Sequence, residues 1–228
     1  NFTKIPGSPI GYWVSEKIQE TFTGNRPLSA VCKPTQGLAT ADNGRFLREW
    51  FEVDYNWIGF GYETSEAAAK SGKKWFPCNK GGGQRRWYGN QNEVINWENN
   101  GIEIKNNKGA VIRNEDTYFI PTIGWNMISS GGISFRYYPS GFILNNASCA
   151  YPCEDLLGAV AYLNSKFTAT ISNIINPTIN LSNGVVAKFP YMVLDNDNYR
   201  YLSKSAISIS KQDWDAHETS WDFRENEL

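Results

Sequence analysis

The sequence predicts an α+β domain: a twisted, mostly antiparallel β portion at about residues 30–150, with an N-terminal helix and C-terminal helices packed on it. Short runs of aromatic and β-branched residues, separated by Gly and Pro, fill the chain as far as Cys149. Apolar residues recur at helical spacing before Gly24 and again after Glu154. With 228 residues, 41% of them hydrophobic, the chain can bury a sizeable core.

The first element is a helix that begins at Ser8 and Pro9, which suit the N-cap and the first helical position. The sequence Gly-Asn-Arg-Pro at 24–27 ends it. Its apolar face consists of five residues at helical spacing: Ile10, Trp13, Val14, Ile18 and Phe22.

Residues 35–48 contain two glycines and several small polar residues, and they lead into a strand predicted at 46–53. Small residues let a backbone approach a ligand closely, so this segment is a candidate binding loop. An ordinary turn between two strands would have the same composition, and both interpretations stay open. As a binding loop it would offer four polar side chains: Gln36, Thr40, Asn43 and Arg45.

The window from Ala67 to Asn90 concentrates the positive charge of the chain. It holds six basic and no acidic residues, whereas the whole chain has 22 Lys and Arg against 23 Asp and Glu. Without this window the balance is −7. Two Trp, a Phe and a Tyr supply flat faces in the same window, and several Asn and Gln supply paired donors and acceptors. Such a mixture is typical of a surface that binds nucleic acid.

Two short aromatic runs, at 73–78 and 84–88, flank Asn-Lys-Gly-Gly-Gly, which predicts a hairpin with a flexible basic tip. Arg and Lys bind phosphates and guanine edges, and Asn and Gln suit adenine edges. A solvated surface hairpin whose aromatic residues face the core is the alternative. In the binding interpretation, six residues contact DNA: Lys74, Lys80, Gln84, Arg85, Arg86 and Asn90.

Shorter elements complete the prediction. Residues 63–71 are Ala-rich and predict a helix, and Glu154 begins a longer helix with a stripe of Leu, Val and Phe side chains. A helical or mixed segment follows at 171–175. Further strands are predicted at 93–97, 101–105, 117–120, 133–138, 142–144 and 185–191.

The last 18 residues carry two basic and six acidic residues with aromatic residues between them. Phosphate would repel this charge, so the segment is predicted to be a linker or packing element rather than a DNA contact. We therefore divide the chain into a helical lead-in at 1–30, a main domain at 31–192 and an acidic, Trp-containing segment at 193–228.

Motifs for catalysis or metal binding are missing from the sequence. Four scattered Cys and one His predict no zinc site, and they fit a reducing compartment better than a disulfide scaffold, although a disulfide stays open. Glu103 and Lys105 have the Glu-x-Lys spacing of metal-dependent nucleases, but no Asp lies between Asp54 and Asp116 to share a metal. We predict no catalytic, cofactor or metal site in this chain, and no membrane span.

Several stretches resemble the adenine-specific DNA methyltransferases of BREX phage-defence systems (PglX- or BrxX-like enzymes), and similar recognition domains occur in fused type II restriction–modification enzymes. The stretches follow in the expected order over nearly the whole chain. They include KIPGSPIGYWV at 4–14, QGLATADNGRF at 36–46, KWFPCNKGG at 74–82 and NPTIN at 176–180.

The resemblance implies a target-recognition domain from a larger enzyme. In that family the catalytic domain lies upstream and carries the S-adenosylmethionine site and an Asn-Pro-Pro-Tyr loop, so residues 1–30 would lead in from it. The chain itself would be non-catalytic and would hold no cofactor. It would bind double-stranded DNA at a short asymmetric site, whose adenine is flipped out and methylated at N6. The implied setting is the cytoplasm of a bacterium or archaeon, with the upstream domain and other defence-system subunits as further partners.

Two other classes of function stay open. Nine Trp and a β-rich prediction also fit a carbohydrate-binding module, in which aromatic rings stack on sugars. A basic window without acids has no purpose at a neutral sugar site, which favours DNA. A structural adaptor in a defence complex would use the acidic, Trp-containing end of the chain as its contact.

Overall fold

A computed structural model describes residue 5 and residues 14–33, 35–128, 132–146, 148–176, 178–192 and 197–225. Its strands form two four-stranded sheets and a two-stranded ribbon, and helices precede, interrupt and follow the strands in the sequence. The predicted α+β class is therefore confirmed. All strand pairs are antiparallel except β4 with β8 and several single-residue bridges.

The helices and strands have the following bounds. The helices are α1 Glu16–Gly24, α2 Asn43–Phe46, α3 Ser65–Lys70, α4 Glu98–Lys105, α5 Leu156–Leu163, α6 Lys166–Ile175, α7 Asn183–Val186 and α8 Asp197–Asp215. The strands are β1 Arg26–Pro27, β2 Thr35–Gln36, β3 Leu47–Glu49, β4 Trp75–Asn79, β5 Glu93–Asn96, β6 Thr122–Asn126, β7 Phe135–Tyr138, β8 Ile143–Leu144, β9 Ser148–Tyr151 and β10 Pro190–Tyr191.

The first sheet has the strand order β3-β5-β4-β8 and carries one of the two main cores. Phe76 is fully buried at its centre and meets Tyr62 and Phe119 edge-on, with ring centroids 5.9 and 5.6 Å apart. Helices α3 and α4 add Ala68 and Ile104 to the same core. Edge-on aromatic pairs stabilise such a core beyond their buried area.

The second sheet has the order β2-β9-β6-β7, and α5 and α6 pack on it. Trp125 and Phe135 of the sheet share a core with Val160 and Ile171 of these helices. A disulfide joins Cys32 to Cys153 beside this core, across 121 positions of the chain. The expectation of scattered reduced cysteines is therefore wrong for this pair, because only the fold brings the two positions together. Cys78 is free and buried.

Two predicted strands are helical instead. Residues 101–105 belong to α4, where Ile104 is buried and Ile102 is 52% exposed. Alternating apolar residues suggest a strand, but positions two apart lie on opposite sides of a helix. In the predicted strand 185–191, Val186 is buried within α7, and only Pro190–Tyr191 pairs, with β1.

Other predicted boundaries also move. Residues 46–53 contain only the short strand β3 between α2 and a 3₁₀ turn, and residues 117–120 contain no strand. The first helix begins at Glu16, where the Ser15 side chain accepts a hydrogen bond from the Ile18 N–H. The start predicted at Ser8 and Pro9 lies outside the described residues.

The long helix α8 packs along α5. Arg200 pairs with Asp155, which caps α5 by accepting a hydrogen bond from the Gly158 N–H at 3.0 Å. Ser203 donates from its hydroxyl to the Leu157 carbonyl at 2.9 Å. The boundary predicted at residue 193 stays a prediction. Within the described ranges, no helix is both long and apolar enough to cross a membrane.

Candidate nucleic-acid interface

The basic segment is a long loop between β4 and β5, which we call the basic loop (residues 80–92). The predicted hairpin exists, but its second strand is Glu93–Asn96, and the prediction of a strand at 84–88 is wrong. The reason is that Trp87 turns to the other sheet. Its N–H donates to the Phe135 carbonyl at 2.9 Å, and its own carbonyl accepts from the Tyr137 N–H at 2.8 Å.

A fully buried arginine fixes the shape of the basic loop. Arg136 of β7 donates to the Asn126 side-chain oxygen at 2.6 Å and to the carbonyls of Gly83 and Arg85 at 3.3 and 3.4 Å. Asn126 in turn donates from its side-chain amide to the Gly82 carbonyl. No carboxylate of the described residues forms an ion pair with Arg136, so neutral oxygens alone solvate this charge.

Two of the predicted DNA-contacting cations are already paired. The Lys80 ammonium lies 2.9 Å from a Glu93 carboxylate oxygen, and the Arg85 guanidinium lies 2.7 Å from Asp213. Arg85 also lies over the Trp214 ring, at 5.1 Å from its centroid. The acids come from just beyond the window and from the end of α8. The window therefore contains no acidic residue, but the fold brings acids from outside it next to Lys80 and Arg85.

The end of α8 covers the inner side of the basic loop through a second set of contacts. Lys211 pairs with Asp215 and with Asp222, and it lies 5.3 Å from the Tyr88 ring centroid. Burial raises the pKa of the Tyr88 hydroxyl, so Tyr88 stays neutral. Burial likewise raises the pKa of the Cys78 thiol at the end of β4, which leaves it a core residue rather than a nucleophile.

The remaining predicted residues of this segment differ in exposure. Gln84 and Arg86 are exposed, and within the described part of the chain no acid pairs with Arg86. Asn90 has a positive φ of 55° and donates to the Gly83 carbonyl at 2.6 Å, so it shapes the loop. Lys74 is half-buried, with its ammonium 6.0 Å from the Trp75 ring centroid.

Gln84 and Arg86 line one wall of a groove of about 560 Å³, which we call the loop–α6 groove. The opposite wall is the C-terminal end of α6 and the loop after it, with Asn173 and Ile179. Trp125 also lines the groove. Among the described residues that line it, none is acidic. Exposed amides and a guanidinium around such a groove can donate to and accept from the edges of bases.

The second predicted segment, 35–48, begins on the second sheet and then runs along β8 of the first. Gln36 is on β2, at the opposite edge of the second sheet from β7, to which the basic loop is joined. Three inter-strand spacings of about 4.8 Å separate the two edges by roughly 14 Å. Thr40 is buried and donates from its hydroxyl to Asn43, and Arg45 pairs with Glu103 at 3.0 Å. The next residues of the segment come nearer to it: Leu38 bridges to Asn145 at the end of β8, and β8 pairs with Asn79, the residue before Lys80, so about two inter-strand spacings, roughly 10 Å, separate Leu38 from the start of the basic loop.

Gly37, one of the two glycines of that segment, is needed for packing within the fold. A Cβ at Gly37 would lie 1.9 Å from the Leu144 carbonyl oxygen, so the close approach that the small residue allows is to strand β8. The Glu-x-Lys pair is structural as well, since Glu103 and Lys105 pair with Arg45 and Glu115.

Sequence reasoning missed three residues of this region: Arg136, Asn173 and Ile179. An arginine within a β-strand pattern gives no sign that it is buried. Asn173 belongs to a helix end and Ile179 to the loop after it. The available signal was that residues 176–180, which include Ile179 but not Asn173, were among the stretches carrying the family resemblance.

Comparison with known proteins identifies the class to which the chain is related. It is similar along its whole length to curated adenine-specific methyltransferases, although no protein-family model matches it. It is 40% identical over 236 residues to adenine-specific methyltransferase BrxX of Escherichia coli O9:H4 (strain HS). It is 37% identical over 239 residues to adenine-specific methyltransferase PglX of Lacticaseibacillus casei (strain Zhang).

These alignments cover all of this chain but only 18% and 20% of the two relatives, so the chain spans about a fifth of their length. The resemblance predicted from the sequence motifs is confirmed. The chain is homologous to one segment of the methyltransferases BrxX and PglX.

Proposed function

We propose that this chain is the DNA target-recognition segment of an adenine-specific methyltransferase of the BREX type. It binds double-stranded DNA and reads a short asymmetric site. The S-adenosylmethionine site and the transfer of the methyl group to adenine N6 belong to the part of the parent enzyme outside this chain. The homology to one segment of two adenine-specific methyltransferases supports this division of labour.

The observation that carries the proposal is the exposed Arg86 in the loop–α6 groove. Arg85 is held by Asp213 and Trp214, whereas Arg86 has no acid partner among the described residues. A free guanidinium can make two parallel hydrogen bonds to O6 and N7 of guanine. Gln84, exposed on the same wall, suits the N6 and N7 atoms of adenine.

The test is an Arg86→Ala substitution in the full-length parent enzyme. A direct guanine contact is worth about 1–3 kcal/mol, so binding to the cognate duplex should weaken by roughly 5- to 150-fold, and discrimination should relax at one base pair. The matched control is Arg26→Ala, which removes the same charge from an exposed position on β1. Both variants are titrated with cognate and scrambled duplexes over a series of salt concentrations. Wild-type binding by Arg86→Ala at every salt concentration would refute the proposal.

One observation favours a second candidate, a contact surface for carbohydrate or protein. Phe51, Tyr55 and Trp57 are 60%, 51% and 50% exposed, and the rings of Phe51 and Tyr55 both meet Trp50 edge-on. Aromatic rings of this kind stack on sugars or anchor protein interfaces. Retention of the wild-type protein on a polysaccharide resin, lost in Trp57→Ala, would favour carbohydrate binding over the DNA proposal.

A further inference from the structure

Hydrogen bonds hold the described residues of the loop after α6, on the wall of the groove opposite the basic loop. The Asn176 side-chain amide donates to the Asn180 carbonyl at 2.9 Å, and its oxygen accepts from the Thr178 hydroxyl at 2.8 Å. The Leu181 N–H donates to the Met127 carbonyl at 2.7 Å, which ties the end of the loop to the residue that follows β6. Asn176 is therefore occupied in shaping this wall and is not free to read a base.

Two side chains on this wall remain available. Asn173, in the last turn of α6, is exposed, and no hydrogen bond engages its side chain within the described residues. Ile179 is 63% exposed although the loop on both sides of it is hydrogen-bonded. Ile179 lines the same groove as Asn173, Gln84 and Arg86, so its exposed side chain offers an apolar contact beside the polar ones.

We propose that Asn173 and Ile179 read one A·T base pair in the major groove. This inference rests on the DNA-binding function proposed above. The Asn173 side-chain oxygen accepts from adenine N6–H, and its amide donates to adenine N7. Ile179 packs on the 5-methyl group of the thymine in the same pair. The major-groove edge of an A·T pair presents adenine N7, adenine N6–H, thymine O4 and the thymine methyl group in that order, and the position of the methyl group distinguishes it from the other pairs. Arg86 and Gln84 read neighbouring pairs from the opposite wall.

The experiment removes single methyl groups from the DNA. The recognition site of the full-length parent is first mapped by sequencing genomic DNA for N6-methyladenine, and every such site contains at least one thymine. Each thymine is then replaced singly by deoxyuridine, which lacks only the 5-methyl group. One buried methyl group corresponds to about a fourfold change in affinity. Wild-type protein should lose about fourfold at one position, and Ile179→Ala should bind the thymine and deoxyuridine duplexes equally there.

Two further variants complete the design. Ile209→Ala removes an isoleucine that is 68% exposed on α8, and it should keep the wild-type discrimination. Asn173→Ala should weaken cognate binding by roughly 5- to 150-fold. It should also accept other base pairs at one position, and that position should be the one at which Ile179 detects the thymine methyl group. Both target residues are exposed, so thermal melting should match that of the wild type.

The outcomes separate the two proposals. If Arg86→Ala weakens cognate binding but Ile179→Ala keeps full thymine discrimination, the reading of an A·T pair is wrong and the DNA-binding function stands. The inference also fails if the wild type never distinguishes thymine from deoxyuridine, or if Asn173→Ala relaxes a different pair. If neither the wild type nor the variants prefer cognate over scrambled DNA, both proposals fail.

Discussion

Replacing Arg136 with Ala should destabilise the protein and release the basic loop. Its guanidinium is fully buried and donates to three oxygens around the loop, on Asn126, Gly83 and Arg85. The substitution removes these donors; the Gly83 carbonyl keeps a second donor in Asn90, so the loss falls mainly on the Asn126 and Arg85 oxygens. The side chain also leaves an empty volume behind it.

The magnitude follows from these contacts. A hydrogen bond to a charged group contributes about 1.5–3 kcal/mol, and each buried acceptor left without a donor costs about 1–3 kcal/mol. The contact at 2.6 Å is strong, whereas those at 3.3 and 3.4 Å are long and count for less. We expect a loss of about 3–5 kcal/mol in the free energy of unfolding. In a domain of this size, that lowers the melting temperature by roughly 10 °C.

Denaturant unfolding measures the global loss, and amide hydrogen exchange measures the local one. Exchange of the Trp87 amide, which donates to Phe135, should accelerate more than that of the amides in β4 and β5. Arg136→Lys is the control. It keeps the positive charge but lacks the planar set of N–H donors of a guanidinium, so its loss in the free energy of unfolding should be intermediate. A loss below about 1 kcal/mol for Arg136→Ala, with unchanged exchange at Trp87, would refute the idea that this residue holds the loop.

Two more perturbations test the fold. Gly37→Ala should prevent folding or lower the melting temperature strongly, because its Cβ would lie 1.9 Å from a backbone oxygen of β8; the control Gly184→Ala has open space around it and should melt like the wild type. Burial alone would raise the pKa of Asp155, but hydrogen bonds from Arg200 and from a backbone N–H outweigh it and lower this pKa. Its contribution to stability is thus present above the ordinary carboxyl pKa and lost as the pH falls through the lowered value. The stability difference between the wild type and Arg200→Met, measured by urea unfolding, should be constant near neutral pH and vanish in strong acid; a difference that persists there would contradict the pairing.

The sequence predicts the class of the fold because its signals are local. The aromatic run at 73–78 predicts β4, the run at 93–97 predicts β5, and the acid at Glu154 predicts the start of α5 to within two residues. The errors arise where tertiary packing overrides a local pattern. Ile102 and Ile104 alternate like strand residues, but the chain is helical there, with one side chain exposed and the other buried.

The candidate site could be predicted only in part, for a related reason. Composition indicates which window is basic, but not which of its cations have partners. The partner of Arg85 lies 128 positions away on α8, and the pairing is invisible to any local pattern. The opposite wall of the groove is polar and nearly uncharged, so neither charge nor periodicity marks Asn173 and Ile179 in the sequence.

Some cations of the basic loop are paired with carboxylates and others are not, and this difference decides which of them is suited to read DNA. Lys80 and Arg85 would each have to leave a carboxylate before contacting DNA, and the freed Glu93 and Asp213 would then repel the phosphates. Arg86 needs no such exchange, so its full interaction with guanine is available for binding. The ion pairs of Lys80 and Arg85 instead hold the loop in place, which would reduce the conformational entropy lost if Arg86 binds DNA as proposed. In the proposed function, the neutral wall with Asn173 would add discrimination without further charge, which would let a chain with a net charge of −1 bind DNA selectively at one groove.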